Sequence, residues 1–464
     1  MSNSDLLEKI NSKKAENIFS ELYGEDEVNN ARNRYTTLIN NISNNSFPES
    51  ELKNAKGELR IFTAPGRTEL AGNHTDHNRG KVLAASIQLD NAAVVRERSD
   101  NIIFFRSTGF PDVKVKLTDE KGEPDLQPKP EETGATEGLI RGIAAELRRR
   151  GCPVGGFSAN AESTVLPGSG LSSSAAVEVL IGRILDSLYG GAPCSEVSRA
   201  KHTSLEIAQI GQYAENVYFG KPCGLMDQTA CASGGAVAID FENPDLPIVK
   251  QINFDLDAAG YALCVVNTGG SHADLTPDYA SIPAEMKSVA AFFGKSALRE
   301  LDKETILSRA AEIRKALGDR ALLRSLHFFD ENERVDAMTN ALLEMENVDS
   351  ASKQAAFYRY LKLIDKSGDS SWKLLQNVYS PNSQASQGIT TALALTREFL
   401  NRQTFYGACS GACRVHGGGF AGTIQAYIPL NAIGKYRVWI EPVFGAGSVT
   451  PLRIRPTGAV ELVF

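Results

Sequence analysis

Five stretches of this 464-residue chain concentrate side chains that can do chemistry. The first, residues 64–78 (APGRTELAGNHTDHN), gathers one arginine, one glutamate, two histidines, one aspartate and two asparagines. Such a density of hydrogen-bonding groups suits a polyol, whose hydroxyls each need a partner once buried; a polar surface loop is the plainer alternative. The second, residues 166–176 (LPGSGLSSSAA), stands directly before an apolar-periodic helix. Glycines let a ligand approach the backbone, and the helix N-terminus offers unsatisfied N–H groups at the positive end of its dipole. Serine hydroxyls add contacts to phosphate or Mg²⁺. The GK[ST] ending of a P-loop is absent and GxGxxG is not met, so neither of those fingerprints applies. An ordinary capped helix after a Gly/Ser loop is the competing reading.

The third stretch, residues 214–228 (AENVYFGKPCGLMDQ), places Glu215 near a helix end and Asp227 after the apolar pair Leu225 and Met226. Two carboxylates near a phosphate loop can divide the labour, one holding Mg²⁺ and one contacting the nucleophile. Taken singly, each acid has a commoner fate as a solvated or N-capping group. The fourth, residues 413–422 (CRVHGGGFAG), is a backbone with four glycines in its last six residues. The fifth, residues 267–279, is a polar turn after a buried-strand candidate. Four of the six histidines (His74, His77, His272, His416) fall inside these stretches, and none forms an HxxxH pair that would read as zinc.

The elements around them follow from hydrophobic periodicity. Residues 1–50 predict polar helices, with Leu6, Leu7, Ile10, Ile18, Phe19 and Leu22 at helical spacing, ending in a loop. Short β-like runs occupy 60–63, 82–96, 102–106 and 113–117, and 119–134 is a proline-bearing loop. Residues 135–150 predict a helix stopped by Gly151, 156–162 a strand, 173–189 a helix, 194–218 another helix and 261–267 a buried strand. Residues 283–400 read as mainly helical, 405–428 as Gly-rich turns and a strand, and 435–464 as antiparallel strands. Strands and helices mix without βαβ repetition, so α+β fits better than a doubly wound sheet.

Composition narrows the partners. The net charge of −7, from 49 basic and 56 acidic residues, argues against non-specific nucleic-acid binding but not against a small anion. No run approaches the roughly 18 apolar residues of a spanning helix, and the N-terminus has no apolar export segment. Seven cysteines without a CxxC pair read as reduced thiols in the cytoplasm; Cys409 and Cys413 lack a second pair to make a metal site. The 40 glycines inform by position rather than by number.

On these motifs the chain resembles the galactokinases, a family within the GHMP superfamily of small-molecule kinases, over residues 59–428. APGRTELAGNHTDHN is close to the family's GRVNLIGEHTDYN, and LPGSGLSSSAA is nearly its phosphate loop. GACRVHGGGFAGT is a looser match to GARMTGAGFGGC, and CGLMDQ with its upstream AEN also fits. The resemblance implies an α+β, two-lobed fold with the active site in the inter-lobe cleft. It implies an N-terminal helical extension over 1–50, an N-terminal lobe over 51–250 carrying the sugar motif and phosphate loop, and a C-terminal lobe over 251–464. It also implies ATP, Mg²⁺ and transfer of the γ-phosphoryl group to a sugar's anomeric hydroxyl, galactose before others. Asp227 matches the catalytic aspartate assigned as base, and Arg67 the arginine between nucleophile and γ-phosphate, where a cation stabilises growing charge. Ser174 and Glu215 match the Mg²⁺ ligands. Pro167, Gly168, Ser169, Gly170, Leu171, Ser172, Ser173, Ser174 and Ala175 match the ATP cradle, and Asn73, His74, Asp76, Gly224 and Tyr279 the sugar-contacting positions. The implied partners are a small sugar and Mg·ATP, with neither nucleic acid nor membrane; the sequence does not choose between monomer and dimer.

The departures concern the sugar. The family's Glu before His-Thr-Asp, which helps hold the 6-hydroxyl, is Asn73 here, which keeps hydrogen bonding without charge. His77 replaces a Tyr, His416 replaces a Thr, and Ser271-His272 replaces the RH of NVRH. A related sugar therefore stands beside galactose: L-arabinose, an N-acetylhexosamine, or galacturonate, whose charge the lost Glu would repel. A non-catalytic sugar and ATP sensor is a third reading, although Ser172, Ser173, Ser174, Glu215, Asp227 and Arg67 are all intact.

Overall fold

Two β-sheets organise the chain, and the computed structural model describes residues 3–43, 47–165, 170–190, 201–270, 275–346, 348–383, 385–402 and 411–464. In chain order the strands are β1 (Ala55–Ala71), β2 (Lys81–Arg98), β3 (Ile102–Ser107), β4 (Val113–Lys116), β5 (Phe157–Ser163), β6 (Ala236–Asp240), β7 (Ile248–Ile252), β8 (Tyr261–Asn267), β9 (Ala412–Val415), β10 (Thr423–Pro429), β11 (Val449–Leu452) and β12 (Val460–Leu462). The larger sheet runs β12-β1-β2-β5-β3-β4, with β6 also on β2 and β7 outside β6. Among the described residues only β3 and β5 pair in parallel. The smaller sheet runs β11-β8-β10-β9, antiparallel throughout. This is the expected α+β arrangement, and β12, from the C-terminal end of the chain, joins the larger sheet beside β1.

The centre of the larger sheet is covered on both faces, so β1 from Ile61, β2 and β5 are buried almost without alternation, whereas β4 alternates and β7 is largely exposed. Phe62, Ala93, Val95, Ile103, Phe105 and Phe157 join the core under the helices Thr136–Arg149, Ser173–Tyr189, Ser204–Tyr213 and Met226–Ser233. The intervening Ile61, Ala92, Val94 and Phe104 join Leu6, Ile10, Phe19, Leu22, Tyr35, Leu38 and Ile39 of the helices Asn3–Ile10, Lys13–Tyr23 and Val28–Ser43. One polar group fixes this N-terminal layer. Asp90, fully buried in β2, accepts from the Tyr23 hydroxyl (2.7 Å), Arg34 Nη1 (2.5 Å), Arg455 Nη1 (2.9 Å) and the Thr63 hydroxyl. Burial would raise its pKa, but the two guanidiniums and two hydroxyls prevail and hold the carboxyl below its usual range.

A second core joins the sheets. Leu70, Leu83, Ala85 and Ile87 of the larger sheet pack with Leu263, Val265, Ala412 and Tyr427 of the smaller one and with the helices Asp319–Leu343 and Ser350–Ser370. The outer face of the smaller sheet is closed by Gly388–Arg402 and Ile433–Phe444. The latter corrects the expectation of strands from residue 435: Tyr436 and Ile440 are buried while Val438 between them is exposed, which a helix allows and a strand does not. The helix expected from residue 194 begins at Ser204, and 191–200 lie outside the described residues. Thr203 and Glu206 close a capping box there, while Asp186 accepts from the backbone N–H groups of Lys201 (2.9 Å) and His202 (3.1 Å).

Removing Asp90 strands two buried guanidiniums. Asp90→Ala is expected to lose about 3–5 kcal/mol of unfolding free energy in urea at pH 7. Because the folded carboxyl is depressed, the gap to wild type should narrow as acid protonates it, below about pH 4. A loss under about 1 kcal/mol would show that the arginines do not depend on it.

Candidate active site

The first motif is not a loop at its start: residues 64–71 continue β1 as strand. A register shift between Pro65 and Arg67 interrupts the pairing with β2. The Arg67 backbone N–H donates to Leu171 O (3.1 Å), which docks the strand on the phosphate loop. Its buried guanidinium donates from Nε to Asp227 Oδ1 (2.8 Å) and from Nη1 to the carbonyl of Gly170. Asp227 is the second residue of the helix Met226–Ser233, and its Oδ2 accepts from the Ser172 hydroxyl (2.5 Å). Burial would raise the Asp227 pKa; Arg67, Ser172 and Lys221 outweigh it and hold the carboxyl below the usual range. At neutral pH Asp227 is a carboxylate with both oxygens engaged.

Ser172 also heads the helix Ser173–Tyr189, in a left-handed conformation (φ 57°), and its hydroxyl makes no cap bond to that helix. Diverted to Asp227, it leaves the first helical N–H groups without the usual side-chain acceptor, and 17 aligned peptides stand behind them. Such an uncapped helix head favours a negative charge. Leu171 and Ala175 are buried anchors of this turn, while Ser173 and Ser174 are half-buried at the helix head. Pro167, Gly168 and Ser169 lie outside the described residues.

Behind the helix head runs a seam of carboxyl groups. Glu215 lies in a wider helical turn, Ala214–Phe219; its Oε1 accepts from Lys221 Nζ (2.9 Å) and its Oε2 from Gln228 Nε2 (2.9 Å). The same Gln228 Nε2 donates to Glu178 Oε2 (2.9 Å). Glu178 follows Ser174 by four residues on one helix face, so Ser174, Glu178 and Glu215 border the same seam. Burial first, and the charge of Glu215 second, push the Glu178 carboxyl well above the usual range. Lys221 is raised despite burial, chiefly by Glu215.

The remaining candidates line the turn after β1. Gly224 brings the Asp227 loop against it: a Cβ at Gly224 would sit 1.8 Å from Asp76 Oδ2. His74 lies within 2.9 Å of Gly418 O through Nε2, and burial pushes it down to about 4, so the ring is neutral and Nε2 carries the donated proton. The Tyr279 hydroxyl donates to Gly419 O (3.0 Å), and its ring meets Phe420 edge-on. Asn73 is placed differently. It is fully buried, with Nδ2 donating to Gly417 O (2.6 Å) and to Glu69 Oε1 (3.1 Å), while Oδ1 accepts from Asn377 Nδ2 (2.7 Å). Its side chain belongs to the wall joining the first and third motifs. Glu69 is paired there with fully buried Arg414, Nη2 to Oε1 at 2.5 Å. His416 lies within 3.1 Å of the Thr68 hydroxyl and 3.0 Å of the Thr423 hydroxyl.

The structure thus gathers Arg67, Asp227, Gly170, Leu171 and Ser172 in one bonded cluster, with Ser174 and Glu215 on the adjoining seam, His74 and Tyr279 on third-motif carbonyls, and Asp76 against Gly224. The sequence reading passed over Glu178, Gln228, Lys221, Glu69, Arg414 and Asn377. One signal was available: Glu69 stands where the quoted family motif has Asn, and Asn73 where it has Glu, so the two residue types are exchanged across one hydrogen-bonded pair.

Comparison with known proteins agrees with the motifs. The family model for the GHMP kinases N terminal domain matches residues 138–235, and the galactokinase galactose-binding signature matches residues 50–97. A galactokinase of Streptomyces coelicolor is 30% identical over 404 residues, which cover 85% of this chain and 91% of that protein. A galactokinase of Glaesserella parasuis is 32% identical over 292 residues, covering 60% and 68%. A crystal structure of Lactococcus lactis galactokinase complexed with galactose shares the fold over 99% of both chains, with a TM-score of 0.69 at 22% identity.

The electrostatics of the cluster are open to titration. In Arg67→Met the burial of Asp227 is no longer opposed by the guanidinium. Its carboxyl should rise from below the usual carboxylate range in a ¹³C NMR titration. A carboxyl that titrates as in wild type would contradict the assignment of Arg67 as the group that ionises it.

Proposed function

The chain belongs to the galactokinase family, and from that membership and the site geometry we propose that it transfers the γ-phosphoryl group of ATP to the anomeric hydroxyl of a monosaccharide, galactose first. The observation that carries this reading is the Arg67–Asp227–Ser172 cluster at the head of an uncapped helix. The sugar's O1 attacks the γ-phosphorus, the bond to the β–γ bridging oxygen breaks, and the O1 proton passes to Asp227. In a loose transition state that proton leaves late, so a carboxylate that is a weak base suffices if it aims the hydroxyl. Arg67 lies between that carboxylate and the Gly170 carbonyl of the phosphate loop, where its charge opposes charge growing on the transferred group. The helix N-terminus and Ser173 would take phosphate oxygens.

Ser174 and Glu215 would hold Mg²⁺, an all-oxygen pair suited to a hard cation. Two buried oxygens without partners among the described residues, Glu178 Oε1 and Gln228 Oε1, lie on the same seam and are consistent with a polar occupant. Mg²⁺, when bound, supplies neutralisation of phosphate charge. Asp76, His74, Gly224 and Tyr279 would shape the sugar pocket. The wall holding Asn73 favours a second reading alongside galactose. Its carboxylate sits at Glu69 and is neutralised by Arg414, and the polar atoms of Asn73 already have protein partners. A sugar altered or lacking at C6, such as L-arabinose or galacturonate, would meet no free carboxylate there.

The test is turnover: Mg·ATP with a panel of galactose, L-arabinose, N-acetylhexosamines and galacturonate, following ADP release. Turnover greatest on galactose is expected; turnover on galacturonate or arabinose but not galactose would replace it with the second reading, and none on any sugar would overturn both. Asp227→Asn should lower kcat by about 10²–10⁴-fold with much of the binding retained. The exchange can be reversed as a pair. The single variant Asn73→Glu sets a second carboxylate against Glu69 and should destabilise the fold, whereas Glu69→Asn with Asn73→Glu should restore stability and lower KM for galactose. A double variant no more stable than the single one would refute the pairing.

A further inference from the structure

Glu178 has an environment that its packing alone does not explain. It lies in the first turns of the helix Ser173–Tyr189, four residues after Ser174, with no exposure to solvent. One oxygen, Oε2, shares the Gln228 amide with Glu215. The other, Oε1, is buried with no partner among the described residues. The neighbouring helix makes room for this carboxyl: a Cβ at Gly211 would stand 3.2 Å from Glu178 Oε2. A buried carboxyl oxygen left unpaired is destabilising, and an apolar side chain of the same size would avoid the loss. Such a group is retained where something outside the resting protein satisfies it.

Resting on the reading of Ser174 and Glu215 as the cation-holding pair, we infer that Glu178 is an outer carboxyl group of that site. Its free Oε1 accepts from water that the cation keeps, and through Gln228 it fixes the direction of Glu215. The chemistry of the cation supports this. Mg²⁺ sheds its hydration shell reluctantly and is commonly held by one or two direct ligands with several waters retained. Those waters need acceptors, and Glu178 Oε1 is a buried acceptor with no partner among the described residues. Gln228 is the hinge of the arrangement: it adjoins Asp227 in sequence, and its amide spans the two glutamates, so the cation seam and the carboxylate at the nucleophile rest on one helix start. Glu178 and Gln228 are positioning residues in this account, because they act on the cation through water and through Glu215.

The experiment measures binding rather than turnover. Mn²⁺ affinity is read from the EPR signal of free Mn²⁺ in the presence of a non-hydrolysable ATP analogue, for wild type, Glu178→Met and Glu178→Asp. Glu178→Met should weaken Mn²⁺ about tenfold or more while its melting temperature without ligands stays equal to or above that of wild type. Glu178→Asp keeps the carboxyl group but withdraws the oxygen by one methylene; it should also weaken Mn²⁺, and it decides the matter if the Met variant does not fold. Nucleotide affinity measured in chelator should be unchanged in both. Mn²⁺ affinity within about twofold of wild type would overturn the inference and leave the kinase reading intact. A wild-type protein with nucleotide that binds no Mn²⁺ would overturn the cation-site reading itself.

Discussion

A buried arginine held between a carboxylate and a carbonyl is the constraint on which the site depends. Arg67 comes from a strand, Asp227 from a helix start, Gly170 from the phosphate loop, and each contact removes a charge or a dipole from water. Such contacts are favourable only when all partners are in place, because an unpaired buried charge costs several kcal/mol. The pair therefore fixes the phosphate loop, the strand and the helix start together. Ser172 completes it by giving its hydroxyl to Asp227 instead of to its own helix. One diversion thus orients the carboxylate and leaves the helix head ready for an anion.

The rest of the fold keeps those elements from moving. The centre of the larger sheet is packed on both faces, so β1 cannot slide without disturbing two cores. Asp90 ties the N-terminal helices, β2 and the chain after β11 at one buried point, through Tyr23, Arg34, Thr63 and Arg455. The turn after β1 is held from far along the chain. Glu331 accepts from the Gly72 N–H (3.1 Å), and His327 Nε2 lies 2.9 Å from Asn73 O, both on the helix Asp319–Leu343. The third motif then closes over that turn through Arg414, Asn377 and the carbonyls of Gly417 and Gly418.

Much of this was legible from sequence where local pattern decides the outcome. The helix 173–189 and the strand 261–267 follow from periodicity and from the residues at their ends, and the structure has both at those bounds. The pattern misled where tertiary contact overrides it. Residues 64–71 look like a polar loop because Arg67 and Glu69 are charged, yet each finds a buried opposite charge and the strand continues. Residues 433–444 carry aromatic and β-branched residues that suggest a strand, but Tyr436 and Ile440 are buried while Val438, midway between them, is exposed, a pattern that a helix makes and a strand does not. At the site, Arg67 and Asp227 were recognisable by motif. Glu178 and Gln228 were not, since a glutamate in an apolar helix has no local signature of the amide that spans it. Asn73 was read as facing a sugar; it could not be placed in the wall without knowing that Arg414 and Asn377 lie across from it.

The central claim is that this geometry directs phosphate to the anomeric oxygen of a sugar. Its most direct measurement is the ¹³C NMR spectrum of the product formed from uniformly labelled galactose and Mg·ATP. The account predicts a ³¹P-split resonance at C1, with C6 unsplit. Splitting at C6, or release of inorganic phosphate with the sugar unchanged, would contradict it.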